Sequence, residues 1–170
     1  MKIKTILSSS CLLITITAHG FFTEDFSDSS TMVLSTPFFS DGSEDYFGLS
    51  DGSSSGDFGL DPVTNFPSKD HGSYTGYTGL FLIGEDLDGE GATLPITVTW
   101  DDINISGQNN LVFSGLFGAS NNGIDNTNDA IIILYDIDNS GTFTELIVFE
   151  KVGQGQTGFN GGFKDPNSTT

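Results

Sequence analysis

The sequence predicts an all-β protein folded as an antiparallel sandwich. Glycine, serine, asparagine and aspartate interrupt the chain about every ten residues, and β-branched and aromatic residues fill the runs between them. Helix signals are nearly absent. Fifteen phenylalanines, four tyrosines and one tryptophan among 170 residues supply bulky side chains for a single core. Many short strands separated by turn signals are typical of a β-sandwich or jelly roll.

Alternating hydrophobicity identifies the individual strands. In residues 94–100 the apolar side chains alternate with proline and threonine, so one face is expected to be buried. Residues 131–135 are apolar throughout, which predicts a central strand. The strong predicted strands are 94–100, 111–117, 130–135 and 143–149, and the weaker ones are 22–26, 31–36, 46–50, 79–83 and 159–164.

The first twenty residues have the pattern of an export signal. Lys2 and Lys4 form a basic start, residues 6–16 are a short apolar run, and Ala18-His19-Gly20 offers small residues before a cleavage site. The apolar run is too short to span a membrane. We therefore expect cleavage after Gly20 and a secreted, extracellular domain over residues 21–170. We also expect this domain to be truncated at its C-terminus, without its closing strand or strands.

The charge of the expected mature chain is strongly negative. Three lysines oppose 23 acidic side chains and there is no arginine, which gives a formal charge of −20 for residues 21–170. Without a basic patch, nucleic acid is a poor partner. Self-repulsion of this size favours a bound cation or high salt. The single cysteine lies in the export signal, so no disulfide is available, and bound metal is an alternative source of stability.

Glu24 is a candidate ligand on the first predicted mature strand. Phe22, Glu24 and Phe26 share one face by alternation, and a carboxylate between two phenylalanines is costly unless it is paired. Because the chain has no arginine, we expect a cation as its partner. The alternative is that Glu24 lies at the strand end and faces water.

Two acidic loop segments are candidate calcium sites. Crowded carboxylates raise one another's pKa unless a hard cation lies between them. Calcium binds six to eight oxygens in flexible loops of this kind, whereas magnesium prefers a smaller octahedral shell. The alternative is a pair of solvated acidic turns. The candidate ligands are Asp41 and Asp45 in the first segment, and Glu85, Asp86, Asp88 and Glu90 in the second.

The third loop, residues 136–141, has two interpretations. Asp136, Asp138 and Ser140 with Gly141 match the opening half of an EF-hand calcium loop. The second half does not match, because Ile147 stands where the bidentate glutamate belongs. A hairpin turn rich in asparagine, serine and glycine accounts for the same residues, and we favour it over a calcium loop.

The composition argues against catalysis. The expected mature chain has one histidine, His71, and no thiol, so a zinc site or a cysteine nucleophile has too few side chains. We therefore predict no catalytic residues and no enzyme activity. Tyr74, Tyr77 and Trp100 are candidate ligand-binding residues because flat aromatic faces stack on sugar rings. The alternative is that these rings simply pack in the core.

Several phrases of the sequence resemble secreted jelly-roll modules of aquatic bacteria. These modules are similar in architecture to calcium-stabilised carbohydrate-binding jelly rolls, where an acid on the first strand helps to bind a structural calcium. The resemblance assigns that role to Glu24, and it implies that a closing strand beside the first is missing after Thr170. The phrases are Thr23-Glu24-Asp25-Phe26, Phe38-Phe39-Ser40-Asp41-Gly42, Asp45-Tyr46-Phe47-Gly48, residues 74–79, residues 84–91 and Ile103-Asn104-Ile105-Ser106-Gly107.

The sequence is compatible with three functions. We expect a non-catalytic, calcium-stabilised extracellular module for binding or adhesion, with glycans or another cell-surface ligand as partners and no membrane insertion. A structural subunit of a calcium-linked surface layer or fibre, self-assembling through an open sheet edge, is one alternative. The other is an N-terminal accessory module of a larger secreted hydrolase or nuclease.

Overall fold

A computed structural model of the chain describes residues 1–8, 13–18, 22–27, 29–41, 45–50, 79–118, 130–150 and 163–164. The described strands pair antiparallel in two sheets, which confirms the predicted all-β sandwich. In chain order they are β1 (Lys2–Ser8), β2 (Leu13–Ala18), β3 (Phe22–Glu24), β4 (Val33–Leu34), β5 (Phe39–Ser40), β6 (Tyr46–Ser50), β7 (Phe81–Glu85), β8 (Ile96–Trp100), β9 (Gly115–Gly118), β10 (Ala130–Asp136), β11 (Thr144–Glu150) and β12 (Phe163–Lys164).

The two sheets enclose one apolar core. The first sheet has the strand order β12-β11-β10-β1-β8-β4. The second has the order β3-β2-β7-β6-β5, with β9 also pairing with β2. The inward side chains of both sheets form a single cluster whose largest fully buried members are Trp100, Tyr46, Phe26, Phe47 and Phe81. Burial of such aromatic and aliphatic surface is the main stabilising contribution to a fold of this kind.

The periodicity predicted most of these strands correctly. β8 has the expected alternation, with Ile96, Val98 and Trp100 buried and the threonines between them half-buried. β10 lies between β11 and β1, which confirms the prediction of a central strand. The strand predicted over 111–117 begins only at Gly115, and the one predicted over 22–26 ends at Glu24. Phe26 ends the latter, because its φ of 55° is outside the extended region.

The N-terminal segment is part of both sheets in this structure. β1 lies between β10 and β8, and β2 pairs with β3, β7 and β9. Cleavage after Gly20 stays a prediction, and it would remove both strands. Among the described residues, no helix is long and apolar enough to cross a membrane.

Candidate metal centre

Strand pairing brings the two acidic loop segments together at one end of the second sheet. Asp41 directly follows β5 and Asp45 directly precedes β6, and the second segment begins at the end of β7. β6 and β7 are antiparallel neighbours, and Tyr46 at the start of β6 lies opposite Glu85 at the end of β7. Asp45, just before β6, and the loop after β7 therefore lie side by side. Two clusters 40 residues apart in sequence form one acidic site.

Three carboxylates of this site lie close enough to share an ion. One carboxylate oxygen from each of Asp41, Asp45 and Glu90 lies within 4.8 Å of the other two. The backbone holds the first two in place: the Asp41 amide donates to the Asp45 carbonyl at 3.0 Å, and the Asp45 amide donates to Asp41 Oδ1 at 3.3 Å. Asp41 and Glu90 are exposed and Asp45 is half-buried, so the site opens to solvent.

Asp86 and Asp88 extend the cluster on the loop side. Partial burial, together with the neighbouring carboxylates of Asp88 and Asp45, raises the pKa of Asp86 to about 6. Asp86 is within hydrogen-bonding reach of both neighbours. A carboxyl group in this position keeps its proton to a higher pH than an ordinary aspartate, because a further negative charge is unfavourable there. A divalent cation would relieve the same repulsion.

The backbone of the loop between β7 and β8 is shaped for close approach. Asp86 and Glu90 have positive φ angles of 46° and 51°, and Gly89–Gly91 form a short 3-10 turn. A Cβ atom at Gly89 would overlap the Asp45 carboxylate, so only glycine allows this contact. Glu85, also a predicted ligand, is half-buried instead and accepts a hydrogen bond from the Tyr46 hydroxyl at 2.6 Å.

The described lysine side chains lie away from this site. Lys2 forms an ion pair with Asp101 at 3.3 Å, and Lys4 lies over the ring of Phe143, 5.6 Å from its centroid. The chain has no arginine. The carboxylates of the site therefore have no described basic side chain among them. An all-oxygen, multi-carboxylate, solvent-open loop site has the ligand chemistry that calcium prefers.

A Gly89→Ala variant is expected to weaken any cation binding at this site. The added methyl group must displace the Asp45 side chain, since the two occupy the same space. We expect the stabilisation by calcium, measured as the change in melting temperature between calcium and EDTA, to fall by more than half. A Gly89→Ala protein that keeps the full calcium response would show that calcium binding does not depend on the close contact between the Asp45 side chain and residue 89.

Glu24 is buried away from the acidic loops and has protein donors as partners. The amide of Phe26 donates to Oε1 at 2.7 Å, and Oε2 accepts from the Thr31 hydroxyl at 2.5 Å and from Trp100 Nε1 at 2.6 Å. Phe26 and Trp100 pack edge to face beside it, with ring centroids 6.3 Å apart. Its carboxylate thus joins the strand end of β3 to β8 across the core. The predicted need for a partner is met by neutral donors in this structure.

The 136–141 loop is a hairpin turn between β10 and β11, the interpretation favoured from sequence. The carboxylate of Asp136 is buried and organises the turn: Oδ2 accepts from the Gly141 amide at 2.7 Å and Oδ1 from the Ser140 amide at 3.1 Å. Burial raises the pKa of Asp136, but the hydrogen bonds from Gly141, Ser140 and their neighbours outweigh it, and the net pKa is lowered. Asp138 also accepts from the Ser140 amide, at 3.3 Å. These contacts describe a turn-stabilising role.

The aromatic candidates do not form a described binding surface. Trp100 is fully buried in the core and donates to Glu24, so its prediction as a ligand-stacking residue is wrong for this structure. Its alternation with Val98 and Ile96 already indicated an inward position. Tyr74 and Tyr77 lie outside the described residues.

Comparisons with protein-family models, with curated proteins and with solved structures found no match to this chain.

Proposed function

We propose that this protein is a non-catalytic, extracellular β-sandwich module that binds calcium and acts in binding or adhesion. The observation that carries the proposal is the convergence of the two acidic segments, with Asp41, Asp45 and Glu90 close enough to coordinate one ion. Asp86 and Asp88 add further oxygen ligands beside them. A cation at this point links Asp41 and Asp45, at the ends of β5 and β6, to the loop after β7 and so stabilises one end of the second sheet.

Calcium fits this arrangement better than magnesium or zinc. The ligands are carboxylates on irregular, solvent-open loops, which suit a large ion with a variable coordination number. Zinc sites are built mainly from histidine and cysteine, and the described residues of this site include neither. The net charge of the chain also favours cation uptake, since each bound calcium removes part of the self-repulsion.

Loops ordered by a metal often carry recognition, because the sandwich holds them rigidly at one end. The binding or adhesion part of the proposal follows from this general property and from the resemblance to secreted jelly-roll modules. The glycan class of ligand has no support from Trp100, and Tyr74 and Tyr77 stay candidates.

Thermal unfolding of the full chain tests the proposal. We expect a higher melting temperature in millimolar calcium than in EDTA, and a much smaller increase in magnesium or sodium at the same ionic strength, because only a ligand that binds the folded state stabilises it. Equal increases in melting temperature in all three salts would indicate charge screening alone and would contradict the calcium assignment.

The calcium response should depend on pH. Without metal, the raised pKa of Asp86 means that the folded protein binds this proton more tightly than the unfolded chain does, so stability in EDTA should fall as the pH rises from about 4 to about 6. Calcium competes with protons for Asp86 and for the facing carboxylates of Asp41, Asp45, Asp88 and Glu90. The melting-temperature increase from calcium should therefore be small near pH 5 and large above about pH 7. An equal increase at both pH values would contradict a carboxylate site.

A further inference from the structure

We propose that the position of β1 is an acceptor slot for an exchangeable strand. The export signal fills this slot in the full chain. After cleavage, the slot accepts an extended segment of another polypeptide, in which apolar residues alternate with polar and basic ones. The proposal rests on the expected removal of residues 1–20 and is independent of calcium binding. It is carried by the pairing, the burial and the charges of residues 2–8.

β1 is an interior strand with partners on both sides. It pairs along its length with β10, from Lys2 opposite Asp136 to Ser8 opposite Ala130, and on its other side with β8. Removing it would leave two facing strand edges with unpaired N–H and C=O groups, and would open the core above Trp100 and Ile133. An open pair of edges over an apolar groove is the arrangement that accepts an added strand.

Thr5 indicates that residues 2–8 are an imperfect occupant of the slot. Ile3, Thr5 and Leu7 face the core and are 4%, 0% and 1% exposed. The Thr5 hydroxyl is fully buried and has no hydrogen-bond partner among the described residues. A buried, unpaired hydroxyl is unfavourable, and the slot would bind an apolar side chain more tightly at this position. The core of the sandwich is thus complementary to a strand more apolar than this one.

The outer face of the slot favours a basic strand. Lys2 pairs with Asp101, and Lys4 lies over Phe143. The N-terminal amine of Met1 donates to the carbonyl of Ile103 at 3.1 Å, so positive charge at this end of the strand meets an acceptor as well. Each of these partly exposed contacts contributes little alone. The net charge of −20 on residues 21–170 adds a long-range attraction for any basic segment.

The same charge argues against a second mature copy as the occupant. Two copies would bring 23 acidic side chains each into one assembly, with three lysines per chain to offset them. A lysine- or arginine-bearing strand of a different polypeptide avoids that repulsion. The expected partner is therefore an extended segment with apolar residues at alternate positions and basic residues between them.

A cut chain isolates the slot without removing β2. A protease recognition sequence placed at residues 9–12 lets residues 1–8 be released from the folded full chain, while β2 stays covalently attached. Fluorescent peptides with the sequence of residues 1–8 are then titrated onto the cleaved protein. We expect saturable binding that restores the melting temperature of the uncut chain.

Peptide variants define the chemistry of the occupant. A Thr5→Val peptide should bind about tenfold tighter than the native sequence. A Lys2→Glu, Lys4→Glu peptide should bind at least about tenfold more weakly in low salt. A peptide with the apolar residues moved to the outer positions should not bind. Equal binding of all four peptides, or an unchanged melting temperature after residues 1–8 are released, would overturn the proposal.

Two further measurements test the proposal even if the cleaved protein does not stay folded. In the uncut chain, Thr5→Val should raise the melting temperature by about 3 °C, and a decrease would overturn the slot's preference for an apolar residue. The N-terminus of the protein recovered from its source cells should be Phe21. Recovery of chains that all begin at Met1 would mean a permanently filled slot, and would also overturn the proposal.

Discussion

A Glu24→Ala variant is expected to lose about 3–5 kcal/mol of unfolding free energy, a large part of the stability of an ordinary domain. The substitution removes a buried carboxylate that accepts three hydrogen bonds. It leaves the amide of Phe26 and the indole N–H of Trp100 buried without their acceptor, and unmet buried donors are costly. Urea unfolding followed by the fluorescence of Trp100, the single tryptophan of the chain, measures the loss directly at the affected side chain.

Two companion variants sharpen this test. Asp25→Ala is the matched control, because Asp25 is exposed and its carboxylate accepts from the nearby Ser27 amide, so a small effect is expected. Glu24→Gln keeps the shape but presents an NH₂ group to donors, so an intermediate loss is expected. The loss for Glu24→Ala should be the same in EDTA and in calcium. A loss seen only in calcium would instead support the sequence hypothesis that Glu24 is a metal ligand.

Asp45→Asn is expected to abolish most of the stabilisation by calcium. Asp45 is the carboxylate that contacts both halves of the site, since it lies near Asp41 and Glu90 and also raises the pKa of Asp86. At a calcium concentration about 100-fold above the dissociation constant, a single site contributes about 2.7 kcal/mol. For a chain of this length that corresponds to about 5–10 °C in melting temperature.

The Asp45→Asn variant also has a predicted effect without metal. In EDTA it should be as stable as the native chain or slightly more stable, because one of several crowded negative charges is removed. Asp138→Asn is the matched control: Asp138 is an exposed acidic residue in a different turn, and its replacement should leave the calcium response intact. A calcium response that survives in Asp45→Asn, or is lost in Asp138→Asn, would place the ion elsewhere.

The strands were predictable because alternation is a local signal. Residues 96–100 carry their burial pattern in the sequence itself, and so do the continuous apolar residues of β10. The N-terminal strands were not predicted, because a short apolar run behind two lysines has the same composition in an export signal and in a strand. Periodicity does not separate the two meanings.

The candidate site was predictable only in its parts. Each acidic segment was visible, but their meeting depends on the register of β6 against β7, which places Tyr46 opposite Glu85. No local pattern encodes that register. For Glu24, the need for a partner was predictable from its flanking phenylalanines, but the identity of the partner was not. Its partner Trp100 is 76 residues away and is a neutral donor. Because the chain has no arginine, the sequence predicted a cation as the partner of Glu24. Neutral hydrogen-bond donors cannot be recognised from the charge composition, so they were not predicted.

Isothermal titration of calcium into the metal-free full chain at neutral pH measures directly whether the acidic loops bind calcium. We expect a saturable binding event in the native protein that is lost in Asp45→Asn, retained in Asp138→Asn and retained in Glu24→Gln. Heats that do not saturate in the native protein would contradict it, and so would saturable binding of unchanged affinity in Asp45→Asn. Either result would mean that the acidic loops are a solvated surface and not a calcium site.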